Sequence, residues 1–153
     1  PIDMSSKNIN NSLAHATVQM GELLFQDDFL YLPNALEILV REHKKHNNIW
    51  YVSACIHTNA YASEFYRPFM PNYHNYIHLC VNTMSAPIVI TFINSPEYVK
   101  FDDKLVWLMD CEYYKRMALK YGPPHVITDQ IVAIRDWASN YDKLINPQIK
   151  TDY

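Results

Sequence analysis

Apolar and polar positions along the chain alternate between a helical and an extended period, and the changes of period mark the elements. Leu13, Ala14, Ala16, Thr17 and Met20 recur at helical spacing and predict a helix over 8–20, which Gly21 stops. Leu23 to Phe25 (LLF) reads as a short apolar strand running out into Gln26, Asp27 and Asp28. Pro33 suits the first turn of a second helix, whose Ala35, Leu36, Leu39 and Val40 share a face before the polar run REHKKHNN. Ile49 to Ile56 (IWYVSACI) is β-rich, whereas the aromatic, proline-containing stretch from about His57 to Asn75 lacks periodicity and predicts a long loop of the functional kind. Tyr76 to Val81 and Pro87 to Ile93 read as strands, the second so continuously apolar that it is expected at the centre of a sheet. A helix runs from Asp110 through CEYYKRMALKY to Gly122, and Val126 to Thr128 and Ile131 to Ile134 read as two short closing strands. Helices alternating with strands predict an α/β fold with a mixed sheet.

Composition narrows the class. The 153 residues, 49% hydrophobic and 14% aromatic, are enough for one domain with a sizeable core. A net charge of −3 with no bunching of basic residues offers no electrostatic case for nucleic acid. Cys55, Cys80 and Cys111 are odd in number and far apart, so no disulfide framework is expected and a reducing, cytoplasmic compartment fits. No apolar run approaches the roughly 18 residues of a membrane span, and the opening PIDMSSKNINN does not read as a signal peptide. With Gly21 and Gly122 the only glycines, Gly-rich phosphate loops are excluded.

Four sets of residues could do chemistry. Asp27 and Asp28 follow an apolar run, and hard divalent cations bind carboxylate oxygens where strands of an open sheet end; a solvated turn or a cap before the Pro33 helix explains the same pair. Asp110, in WLMDCEYYKRM, opens a helix after an apolar run, which suits an ionised general base and equally an N-cap. His57, His74, His78, Cys80 and His125 invite a zinc reading, but their spacing matches no established ligand pattern and there is no CxxC. Arg135, beside Trp137, could meet a diphosphate or form a surface ion pair.

Taken in order, NNSLAHAT, LLFQDDFLYLPNALEILV, NTMSAPIVITF, FDDKLVWLMDCEYYKRM and YGPPHVITDQIVAIRDW resemble the family-2-like glycosyltransferases with the GT-A fold, in particular small viral and bacterial ones, over roughly Asn10 to Ser139. The resemblance implies a GT-A-like, Rossmann-like mixed sheet flanked by helices, and a single glycosyltransferase-like domain over 1–153 that corresponds to the C-terminal two thirds of that fold. The family's first strands would then precede Pro1, and a further segment or a partner would complete the sheet. With Pro33 fixing the register, the family's D-x-D motif falls on Gln26, Asp27 and Asp28. Asp28 is then the metal ligand facing a sugar-nucleotide diphosphate, Asp27 a second ligand or ribose contact, and Gln26 a departure at the first acid. The general base of inverting members maps onto Asp110. Asn10 stands where an arginine often precedes the family's helical asparagine. The histidine sometimes found near the family's C-terminal end has no clear counterpart, Asp136 and His125 being the two residues that could substitute.

The implied activity is metal-dependent, inverting transfer of a sugar from a nucleotide diphosphate sugar to a glycan or other hydroxyl acceptor. The cofactor is Mn²⁺ or Mg²⁺, Arg135 joins Asp27 and Asp28 at the donor, and the location is cytoplasmic, or the host cytoplasm for a viral member. His57, Tyr61, Phe65, Tyr66, Arg67 and Tyr73 are candidates for an acceptor wall, with core packing as the plainer explanation of the aromatics. The alternative is a carbohydrate-binding or assembly module that keeps the fold and has lost the chemistry; Gln26 and Asn10 favour it. A metal-dependent hydrolase using the same acids is a third reading.

Overall fold

Seven consecutive buried residues, Trp50 to Ile56, form the centre of the molecule. The computed structural model describes residues 5–25, 27–79, 81–93, 99–105 and 108–136. In chain order these hold helix α1 (Ser5–His15), strands β1 (Met20–Glu22) and β2 (Phe29–Leu30), helix α2 (Ala35–His46), and strands β3 (Trp50–Asn59) and β4 (Phe65–Phe69). Strand β5 (Ile90–Ile93), helix α3 (Met109–Tyr121) and strand β6 (His125–Asp136) complete the order. The strands make one mixed sheet in the order β1-β5-β3-β6-β2. Strand β6 runs parallel to β3, and every other pairing is antiparallel. β5 pairs the first half of β3 and β4 its second half, so β3 is hydrogen-bonded along both edges.

Successive side chains of a strand point to opposite faces, and Trp50 and Tyr51 use this to anchor a helix on each. Trp50 stacks on Tyr114 of α3 and donates its indole N–H to Gly122 O at 2.9 Å, where α3 ends. Tyr51 meets His43 of α2 at 3.1 Å and accepts the Asn48 N–H at 2.7 Å. A strand covered on both faces has no polar side to show, which accounts for the apolar run IWYVSACI.

The mixed α/β class and the presence of helices α2 and α3 agree with the sequence expectation. Pro33, however, precedes the Asn34 cap instead of sitting in the first turn, and the buried face of α2 is Ala35, Ile38 and Leu39, with Leu36 and Val40 exposed. Several other boundaries differ. Helix α1 stops at His15, and Gly21 lies inside β1, where a Cβ would come within 3.0 Å of the Phe92 ring. It is glycine for close packing against β5. The predicted strand Leu23 to Phe25 is irregular chain: pairing with β5 ends at Glu22, and Leu23 retains one long bond to Ile90 O. The expected long loop holds the end of β3 and all of β4. Tyr76 to Val81 forms no strand where it is described; residues 75–79 are turns in which only Ile77 is buried. Pro87 to Val89 is a 3₁₀ turn ahead of β5, and β3, not β5, is the central strand. The two closing strands are one. Between Ser53 and Cys55 of β3 the partner advances from Ile127 to Val132, so the expected break at Asp129 and Gln130 lies within a bulge of one strand rather than a loop.

Asn10 has a structural task. Its side-chain amide donates to Phe101 O at 2.7 Å and its carbonyl accepts the Phe101 N–H at 2.8 Å. The Phe101 ring in turn lies flat on Tyr113 of α3, with centroids 3.8 Å apart. Losing both bonds leaves two backbone groups unsatisfied, so Asn10→Ala is expected to cost about 2 kcal/mol in urea unfolding. An unchanged midpoint would show that the clamp contributes nothing.

Candidate functional site

Where β3 and β6 end side by side, Thr58 pairs with Arg135 and Asn59 with Asp136. The carboxyl ends of parallel strands are open to ligands because no further pairing covers them. Strand β2, antiparallel to β6, delivers Asp28 to this edge from the turn that precedes it. Asp28 Oδ1 accepts the Arg135 backbone N–H at 2.9 Å, which fixes the carboxylate and leaves Oδ2 without a hydrogen-bond partner among the described residues. Burial pushes the Asp28 carboxyl above its usual range; the Arg135 N–H opposes the shift and the Asp27 charge adds to it. Asp27 sits in the same turn and is half-buried.

The Arg135 side chain lies over the Phe29 ring at 5.5 Å and reaches Ala60 O at 3.4 Å. Its Nε is buried without a partner among the described residues. Such a donor is a natural point for an anionic ligand. Next along, Asp136 gathers three groups: His57 Nδ1 at 3.1 Å, the Tyr66 hydroxyl at 3.1 Å, and Arg67 Nη2. Burial, then the Asp136 charge, raises the Tyr66 hydroxyl above its usual range.

Asp110 occupies the first turn of α3. Its Oδ1 accepts the Cys111 N–H at 2.8 Å, and its Oδ2 accepts from Asn82 at 2.6 Å. Leu108, in the left-handed region at φ 59°, is the capping residue, and Asp110, two positions on, takes a free first-turn N–H rather than standing at the cap. Asn82 is itself pinned, donating to Ser85 O at 3.1 Å and accepting the Met84 N–H at 2.9 Å. Ser85 O also accepts the buried Tyr114 hydroxyl at 3.0 Å, and Ser85 Oγ takes the Cys55 thiol at 3.7 Å. Burial raises that thiol, with the Asp28 charge contributing. Hydrogen bonds therefore link Cys55 of β3 through Ser85 and Asn82 to Asp110 in one chain. Ser85, Leu108 and Arg67 all have positive φ, and each adjoins this chain or Asp136. Backbone held in a sparsely populated region is typical of sites whose geometry is over-determined.

The remaining expected residues divide. Phe65 packs on Tyr31 at 4.9 Å beside Phe29, within reach of this edge. Tyr61 is 89% exposed, and Tyr73 bonds Asn75 instead. His74 is used locally by the Tyr76 N–H. Of the two stand-ins for a C-terminal histidine, Asp136 lies beside Asp28, whereas His125 is at the opposite end of β6. Gln26, Cys80 and Trp137 lie outside the described residues. Asn82 escaped the sequence reading because an amide in NTMSAP has no spacing signal linking it to Asp110.

No family model and no curated protein matches the chain. Among the described residues no helix is long and apolar enough to cross a membrane.

Proposed function

We propose that this chain carries the diphosphate-binding and acceptor-activating residues of an inverting glycosyltransferase on a GT-A-like fold. The observation that supports it best is the pair of separately held carboxylates, Asp28 on the Arg135 N–H and Asp110 on the Asn82 amide and the Cys111 N–H. One is raised by burial beside a second acid; the other is oriented by an amide and a helix N–H. A general base and a cation ligand need different surroundings of this kind.

The donor set in the Asp27–Asp28 turn is all oxygen, which fits a hard Mn²⁺ or Mg²⁺ and no softer ion. Asp28 and Asp27 would hold that cation. When bound, the ion supplies neutralisation of charge on the diphosphate leaving group. Arg135 offers its buried Nε–H to the same anion. Asp110 accepts the acceptor's hydroxyl proton as the acceptor oxygen bonds to the anomeric carbon. The bond from that carbon to the diphosphate breaks on the opposite face, and the diphosphate leaves with the electron pair. Asn82 keeps the Asp110 carboxylate aimed during the transfer.

Calorimetric titration of the full-length protein with nucleotide diphosphate sugars, with and without Mn²⁺, tests this reading. Donor binding is expected only with the metal and at least about tenfold weaker in Asp28→Asn, as for removal of a metal-site contact. Donor binding that ignores both the metal and Asp28 would overturn it. Glycan binding without any donor binding would favour a carbohydrate-binding module on the same fold.

A further inference from the structure

At the other end of β6, three potential metal ligands converge that the mechanism does not use. Glu42 and His46 are one turn apart on α2 and share a face. His125, the first residue of β6, meets them from across the sequence. Glu42 Oε2 lies 3.4 Å from His46 Nε2 and 3.5 Å from His125 Nε2, and all three ligand atoms fall within 4.8 Å of one another.

These spacings are informative. Charge-assisted N–H···O bonds close to about 2.7–2.9 Å, and neither contact does so. A tetrahedral ion with metal–ligand bonds of about 2.0–2.1 Å has ligand–ligand edges of about 3.3–3.4 Å, close to both observed separations. The surroundings hold the donors toward that point. Arg41 Nε engages Glu42 Oε1 at 3.3 Å and leaves Oε2 for the histidines. The Tyr51 ring stands edge-on to His125 at 5.7 Å, and Tyr51 is itself buried and fixed by Asn48 and His43. The cluster also sits at the C-terminal end of α2, where free carbonyls favour a cation.

We propose that Glu42, His46 and His125 form a Zn²⁺ site that ties the end of α2 to the start of β6. Two imidazoles and one carboxylate suit a borderline ion and select against Mg²⁺, which prefers oxygen. The site is therefore chemically distinct from the Asp27–Asp28 turn and does not rest on the glycosyltransferase reading. Three protein ligands leave a fourth position for water. The two imidazole rings stack at 3.8 Å, and both coordinating one ion requires centroids roughly 5 Å apart at tetrahedral bond lengths. His46, exposed on the last turn of α2, supplies that movement.

Titration of the full chain with Co²⁺ reads the geometry directly. One equivalent is expected to give the intense visible absorption of a four-coordinate ion, and Zn²⁺ is expected to displace it. His46→Ala and His125→Gln should each weaken binding by more than about tenfold, and Asp28→Asn should leave it unchanged. Because His46 is exposed, its variant keeps the fold, and thermal unfolding without metal checks this. A weak six-coordinate spectrum, an affinity unchanged in His46→Ala, or a signal lost in Asp28→Asn would each overturn the site.

Discussion

Asp110→Asn is expected to slow sugar transfer by about 10²–10⁴-fold while leaving metal-dependent donor affinity nearly intact, the range for loss of a positioned general base. The substitution is close to isosteric. Its side-chain carbonyl can still accept the Cys111 N–H, but its amide cannot take up the acceptor proton, and it now faces the Asn82 donor instead of accepting from it. The loss of charge at the start of α3 costs about 0.3–1 kcal/mol of stability, too little to mimic a loss of this size through unfolding. Asn82→Ala separates positioning from chemistry. It removes the amide that aims Asp110 and keeps the base, so the effect should be smaller and should fall on kcat more than on KM. Single-turnover assays of both variants, with donor affinity measured alongside, give the two numbers. Undiminished turnover in Asp110→Asn would remove Asp110 from the mechanism.

The sequence made these acids legible one at a time, and the reason is distance. Helices α2 and α3 announce themselves through helical periodicity and through Pro33 just before α2 and Gly122 just after α3, all local signals, although the expected face of α2 leaves Leu36 and Val40 exposed. Strand β3 does so through an apolar run that burial on both faces requires. Signals that depend on a partner strand mislead. Gly21 reads as a helix stop because a sequence does not display the Phe92 ring that needs the space. The bulge at Asp129 and Gln130 reads as a gap because only the register against β3 shows that pairing resumes. Tyr76 to Val81 imitates a strand by composition, yet Tyr76 is 70% exposed and Leu79 60%. The site follows the same rule. Asp27, Asp28 and Asp110 stand out beside apolar runs, whereas the Asp28–Arg135 contact spans 107 positions and the Asp136 hub draws on β3, β4 and β6. Glu42 and His46 have the i,i+4 spacing of a ligand pair, but within REHKKHNN they read as one more solvated charge run until β6 brings His125 beside them.

Glu22 gives the second large effect, through pH. Its Oε1 is buried with no partner among the described residues, and Thr91 donates to its other oxygen. Burial, only partly opposed by the Thr91 bond, pushes its pKa up from the ordinary 4.5 to about 8. The sign follows from proton counting. Between those two values the unfolded chain has lost the proton and the folded chain keeps it, so stability falls as pH rises and levels off once the folded carboxyl ionises. The whole change is on the order of 5 kcal/mol, since each unit is worth about 1.4 kcal/mol. Glu22→Gln is neutral at every pH and retains an acceptor for Thr91. It should match the parent near the acidic end and exceed it by roughly 3 kcal/mol at neutral pH. Urea unfolding of both proteins from about pH 5 to 9 measures the difference. Two parallel curves would mean that the carboxyl is ionised inside the fold. A buried carboxylate then needs a cation facing Oε1, and none of the described residues supplies one.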